Sequence, residues 1–143
     1  MKKSSDLELA YLAGIFDGEG CVRIHKSGKS FVLQVNVGNT SPGIVNCFHK
    51  VFGGCVAPLG SPRMPHHKQG YYWKVYSENA YRCLKELLPF LLIKHEEAEV
   101  AIKFHENRER CDGWSHRVSE EELCRRETEY LKLRLLKKVE GGT

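Results

Sequence analysis

Ten residues, Tyr11-Leu12-Ala13-Gly14-Ile15-Phe16-Asp17-Gly18-Glu19-Gly20, hold the sharpest chemical arrangement in the 143-residue chain. Gly14 and Gly18 are four apart and so share one helix face. Small residues at that spacing let two helix backbones approach closely. Each interior glycine costs a helix about 1 kcal/mol relative to Ala, which calls for a packing reason. Tyr11 and Ile15 flank the contact. If the helix pairs with its own copy about a two-fold axis, both C-terminal ends meet and each delivers a Glu19. Two carboxylates held that close repel unless a cation lies with them. Hard divalent ions such as Mg²⁺ take such oxygen ligands, with water and phosphate oxygens completing the shell.

The charge distribution says what such an ion would act on. The chain has 22 Lys+Arg and 18 Asp+Glu, a net charge of +4. From Cys21 to Ser77, 57 residues, there is no Asp or Glu, while Arg23, Lys26, Lys29, Lys50, Arg63, Lys68, Lys74 and four histidines fall there. The first twenty residues net −2 and the segment from Glu78 onward nets −1, so the whole positive excess lies in one block. A surface built from that block attracts a polyanion through phosphate neutralisation and counterion release. A divalent-ion site beside it points to hydrolysis of a phosphodiester, with the ion activating water and steadying the leaving 3′ oxygen.

The elements that must position these groups are legible. Ser5-Asp6-Leu7-Glu8 is a capping box, predicting a helix from about Asp6 to Asp17, ended by Gly18 and Gly20. Cys21–Lys26 and Phe31–Val37 alternate around the turn Ser27-Gly28-Lys29. They form a hairpin with one apolar face and one polar, basic face that carries Arg23, His25, Gln34 and Asn36. Pro42 opens a second helix, stopped by Gly53-Gly54. Cys55–Leu59 and Tyr71–Tyr76 read as two more strands, the latter with Tyr72, Lys74 and Tyr76 on one face, joined by a loop holding Arg63, His66, His67 and Lys68. Ser77 caps a third helix to Leu88 and Lys94 opens a fourth to about Asn107. Ser119-Glu120-Glu121-Glu122 is a second capping box before a final helix to about Lys138, with Leu123, Leu131, Leu135 and Leu136 as its buried stripe. The order is α-β-β-α-β-β-α plus extra helices: an α+β fold with an antiparallel sheet, helices on one face and the acid-free residues on the other. Residues 6–107 form the core and 108–143 a connector and C-terminal extension.

LAGIFDGEG resembles the LAGLIDADG motif of the homing endonucleases. Leu12, Ala13 and Gly14 match, Ile15 and Phe16 are apolar substitutes, and Asp17, Gly18, Glu19 and Gly20 complete it. The αββαββα order and the Leu88-Pro89-Phe90-Leu91-Leu92-Ile93-Lys94 stretch resemble single-motif members over residues 7 to 106. The resemblance implies an α+β core with a saddle-shaped DNA-binding sheet. It implies Glu19 and the Gly18 carbonyl as metal ligands, Asp17 as a structural acid and Lys94 as a catalytic residue that polarises water or steadies charge. It implies Mg²⁺, with Mn²⁺ substituting and Ca²⁺ binding without cleavage. One motif supplies half a site, so the resemblance implies a homodimer through Tyr11, Gly14, Ile15 and Gly18. That dimer cuts a long pseudo-palindromic duplex across the minor groove to leave short 3′ overhangs, from an intron-encoded type of reading frame.

The DNA-facing set expected from the sequence is Arg23, His25, Lys26, Lys29, Gln34, Asn36, Arg63, His66, His67, Lys68, Tyr72 and Lys74. Gln34 and Asn36 suit bidentate contact with adenine and Arg23 with guanine. Two departures from the family stand out. The Gln expected near the end of the second strand is replaced by Val37 or Gly38, with Asn36 or Asn39 as substitutes. The third strand offers Cys55, Ala57 and Leu59 to the DNA. No run of about 18 apolar residues exists to span a membrane, and Lys2 and Lys3 precede no apolar h-region, so an intracellular, unsecreted protein with free thiols is expected. Cys111, His116 and Cys124 lack the paired spacing of structural zinc sites. No serine–histidine–aspartate order or phosphate-loop glycine pattern is present. The rival readings are a catalytically silent nucleic-acid binder of the same fold, such as a maturase or regulator, and a basic dimerisation domain.

Overall fold

The computed structural model describes residues 4–60, 64–107 and 119–140. Its elements are α1 (Asp6–Glu19), β1 (Gly20–Ser27), β2 (Ser30–Asn39), α2 (Pro42–Phe52), β3 (Cys55–Pro58), β4 (Tyr71–Tyr76), α3 (Ser77–Leu87), α4 (His95–Asn107) and α5 (Glu120–Glu140), with a 3₁₀ turn at Leu88–Phe90. The two capping serines act as the sequence predicts. The Ser5 hydroxyl accepts from the Glu8 N–H and the Ser119 hydroxyl from the Glu122 N–H, each at 3.2 Å. The first helix runs two residues beyond Asp17, because Gly18 continues it and Gly20 is the cap. The third helix starts at Ser77 itself, whose φ of 51° makes the sharp turn out of β4. Tyr76 is the N-cap there, and no side chain caps the helix.

The four strands form one antiparallel sheet in the order β1-β2-β4-β3. Gly53 and Gly54, at φ 75° and 88°, turn the chain from α2 into β3. A Cβ on Gly54 would collide with the Lys74 carbonyl, and the Gly53 carbonyl accepts the Trp73 indole N–H at 2.6 Å. Register puts Val22, Ile24, Phe31, Leu33, Val35, Val37, Trp73 and Val75 on the inner face, where they are buried. The helices cover that face, with Leu12, Phe16, Phe48, Leu84 and Leu87 completing the core. The outer face carries Cys21, Arg23 and His25 of β1, Gln34 and Asn36 of β2, Tyr72, Lys74 and Tyr76 of β4, and Cys55 and Ala57 of β3.

Helix α5 packs on α4 and along the free edge of β1. Glu127 pairs with Lys26 at 2.6 Å, Tyr130 stacks edge-on against Phe31, and Lys137 reaches Cys21, so the helix runs antiparallel to the strand. It thereby covers an edge that would otherwise invite pairing with another chain. The expected leucine stripe is half wrong. Leu133 is buried and Leu123 and Leu136 are half-buried, but Leu131 and Leu135 are exposed. The inward turn is instead polar: Glu122 is buried and accepts from Arg125 and the buried Arg126, each at 3.0 Å. A paired buried charge is tolerated where a lone one is not.

Candidate functional site

Helix α1 is apolar around most of its circumference. Leu9, Leu12, Ala13 and Phe16 form one buried stripe against the core. The opposite stripe is bare: Leu7 is 85% exposed and Tyr11 61% exposed, and Gly14 and Gly18 are exposed as well. A Cβ on either glycine would meet nothing within 4 Å. Nothing among the described residues therefore requires glycine at 14 or 18. Ile15 is half-buried and leans on the core. Beside the stripe, Leu92 is 87% and Ile93 61% exposed. The sequence reading names these two only within the Leu88–Lys94 stretch and gives them no part in an interface. Their signal was two consecutive apolar residues between Leu91, which is buried, and a charged helix.

Asp17 ties that segment to α1. Its carboxylate accepts backbone N–H bonds from Leu92 (2.9 Å), Ile93 (3.1 Å) and Lys94 (3.0 Å). The Lys94 ammonium donates to the Asp17 carbonyl at 3.2 Å. A cation at the C-terminal end of a helix is favourably placed against the macrodipole. Lys94, although it precedes the N-terminus of α4, is positioned by the C-terminus of α1. Replacing Asp17 with Ala removes three charge-assisted bonds and is expected to cost about 2–3 kcal/mol. Chemical denaturation checks this, and a loss below about 0.5 kcal/mol would show the three bonds to be incidental.

Glu19 stands differently. It is exposed, and among the described residues it has no hydrogen bond or ion pair. A carboxylate at a helix C-terminus is repelled by the dipole. Asp17 is compensated by three N–H groups and Lys94, and Glu19 by none. Gly20 gives its N–H to Phe16 and the chain then leaves the helix, so the Gly18 carbonyl has no later helical N–H to accept from. An unpaired carboxylate with a neighbouring carbonyl is a hard oxygen donor pair that fits Mg²⁺ or Ca²⁺. Among the described residues no group of three or more His, Cys, Asp or Glu could hold a metal. One chain therefore offers a fraction of a coordination shell here.

The basic face is sparser than the sequence reading. Arg23 and His25 are exposed on β1, and Lys29 is exposed in the hairpin turn. Asn36 is half-buried between Cys21 and Lys74. Lys74 lies 4.5 Å over the Tyr72 ring, both half-buried. His66, His67 and Lys68 are exposed between β3 and β4. Arg63 lies outside the described residues. Two expectations need correction. Lys26 falls on the inner-face parity with Val22 and Ile24, and its ammonium is taken by Glu127 and the rings of Phe31 and Tyr130. Gln34 has outer-face parity but is only 4% exposed, seated between its cross-strand neighbours Arg23 and Tyr76. Tyr76, 46% exposed, occupies the surface there. Arg23, Lys29, Lys68 and Lys74 make no ion pair among the described residues. Cys83 is fully buried, and burial pushes its thiol well above the usual cysteine range, so it is a neutral core residue.

No family model and no curated protein matches the chain at the level of sequence. The fold matches widely. The homing endonuclease I-CvuI, in complex with its target in the presence of Ca, aligns with a TM-score of 0.69 over 91% of this chain and 82% of that one, at 21% identity. The archaeal intron-encoded homing endonuclease I-Vdi141I, complexed with DNA, aligns at 0.58 over 92% and 99%, at 12% identity. The LAGLIDADG homing endonuclease I-SmaMI, bound to cleaved DNA, aligns at 0.58 over 97% of this chain and 49% of that one, at 17% identity. The architecture is thus one shared with DNA-bound endonucleases. It is the LAGLIDADG homing endonuclease fold, a four-stranded antiparallel sheet with helices on one face. Among the described residues no helix is long and apolar enough to cross a membrane.

Proposed function

We propose that this protein is a homodimeric, divalent-metal-dependent endonuclease that cuts both strands of a long pseudo-palindromic DNA site. The observation that carries the reading is the pairing of two unmet needs on α1. The Leu7–Tyr11–Gly14–Gly18 stripe is apolar and bare, and the carboxylate at its end is unpaired. A second copy of the same helix would answer the first, and a divalent ion held with the help of Glu19 would answer the second. Leu92 and Ile93, fixed beside α1 by Asp17, widen the apolar contact.

In this reading the outer face of the sheet lies along the major groove, where a β-ribbon can reach base edges. Arg23, His25, Asn36, Tyr72 and Lys74 face the bases, and Lys29, His66, His67 and Lys68 meet the backbone. Glu19 and the Gly18 carbonyl of each copy would hold Mg²⁺, with Mn²⁺ expected to substitute and Ca²⁺ to bind without cleavage. When bound, the metal would supply a nucleophilic water at neutral pH and charge stabilisation on the leaving 3′ oxygen. Lys94, held at the Asp17 carbonyl, keeps a positive charge at the same helix end and steadies the negative charge that grows on the phosphate.

Lys94→Ala is therefore expected to slow cleavage by about 10²-fold, the scale of one lost electrostatic donor, while duplex affinity changes little. Single-turnover kinetics beside a binding titration separates the two. Loss of affinity with an unchanged rate would make Lys94 a phosphate anchor. The reading as a whole is tested by cleavage selection from a randomised duplex library in Mg²⁺ and in Ca²⁺. A cut site recovered in Mg²⁺ alone supports it. Retained, salt-sensitive binding with intact DNA in both ions would make the protein a silent binder of the same fold.

A further inference from the structure

Helix α5 has a split charge. From Glu120 to Glu129 it carries five Glu against Arg125 and Arg126, whereas from Tyr130 to Val139 it carries Lys132, Arg134, Lys137 and Lys138 and no acid. Because α5 runs antiparallel to β1, the acidic half lies toward the hairpin turn, where Glu127 neutralises Lys26. The basic half lies toward the start of β1, two residues from Glu19. Between this half and the strand is a cleft of about 400 Å³ lined by Cys21, Arg23, Tyr130, Leu133, Arg134 and Lys137. Three cations thus open onto one cleft.

Their groups are held but not used up. The Lys137 ammonium donates to the Cys21 sulfur at 3.2 Å and lies 4.0 Å from buried Glu97 of α4. An ammonium has three N–H donors, so one is left. Arg134 is exposed and donates one N–H to the Tyr130 hydroxyl at 3.2 Å, with its guanidinium 5.7 Å from that ring. Among the described residues, four of its five donors remain. Arg23, also exposed, makes no ion pair among the described residues. A planar guanidinium fork beside a tethered ammonium matches a phosphate oxygen pair.

We infer that the β1–α5 cleft is a second phosphate site, in which Arg134 and Lys137, beside Arg23, clamp one DNA backbone phosphate close to the cut. This rests on the DNA-binding reading above. It gives α5 a function beyond covering the sheet edge, and it gives Cys21 the role of a positioning acceptor for Lys137.

The test uses the full chain, in Ca²⁺, on the duplex recovered from the selection. Arg134→Gln is expected to weaken binding roughly tenfold and to lower the slope of log affinity against log salt by about 1. Arg134→Lys, which keeps the charge, should restore the slope. Neutral methylphosphonate linkages placed singly along the duplex should weaken wild-type binding at a phosphate near the cut. The Gln variant should lose sensitivity at that position alone. An unchanged slope and interference pattern in the Gln variant, on a duplex that the wild type binds steeply, overturns the clamp and leaves the DNA reading standing. A wild type that shows no salt-dependent duplex binding overturns both. A Gln variant whose circular dichroism shows a lost helix, with sensitivity falling at all positions, makes Arg134 structural and also overturns the clamp.

Discussion

Glu19→Gln is expected to abolish cleavage while leaving duplex binding nearly intact. The substitution keeps shape and removes charge. In the proposed dimer it removes a carboxylate from each copy, hence the charge that draws the ion to the end of α1. Several kcal/mol of transition-state stabilisation depend on that ion, which is about 10³-fold or more in rate. The same change should leave the fold untouched or slightly steadier, because Glu19 is exposed, has no partner among the described residues and faces the negative end of a helix dipole. Single-turnover cleavage, binding in Ca²⁺ and a denaturation curve give the three readouts. A variant that cuts at the wild-type rate would take Glu19 out of the chemistry. One that loses cleavage, binding and fold together would make it structural.

Gly14→Leu separates folding from pairing in a way few substitutions do. Gly14 is exposed, and a Cβ there meets nothing within 4 Å among the described residues, so they do not obstruct a side chain. Leucine is also the better helix former by nearly 1 kcal/mol, so the isolated subunit should be as stable as wild type or more so. The dimer should suffer. In an isologous contact each copy brings its own intruding side chain. Overpacking costs about 1–3 kcal/mol at each, so the pair loses about 2–6 kcal/mol, a factor of ~30 to 10⁴ in dissociation constant. Cleavage of both strands should fall with it. A subunit that unfolds would mean that the helix face serves the chain's own core, contrary to its exposure.

The same residues show why parts of the molecule were readable in advance. The hairpin, the capping serines and the Gly53-Gly54 stop are local: alternation, a hydroxyl three residues from an N–H, and a backbone conformation only glycine tolerates. Each is written within a few adjacent residues. The glycine stripe was readable because two glycines inside a helix are costly without a partner. Lys26 shares the parity of Val22 and Ile24, and a positive charge at a strand end does not by itself say which face it occupies. Gln34 could not be placed from sequence, because its burial depends on which residues lie across the strands, Arg23 on one side and Tyr76 on the other. The buried side of α5 misled for a related reason. A pattern of apolar residues sends charges outward, whereas the pairing of Glu122 with Arg125 and Arg126 lets a polar turn face inward. The Asp17 clamp on residues 92–94 joins positions 75 to 77 apart in sequence, beyond any local pattern.

Two copies must meet through the bare face of α1 if one chain is to supply half of a two-strand cutting site. Sedimentation equilibrium of the wild type and Gly14→Leu side by side, free and on the selected duplex in Ca²⁺, asks this most directly. The prediction is a wild type with twice the chain mass, two chains per duplex, and a Gly14→Leu variant that is folded yet has the mass of a single chain when free. A wild type that stays at one chain per duplex, or a leucine variant that pairs as tightly as wild type, would contradict it.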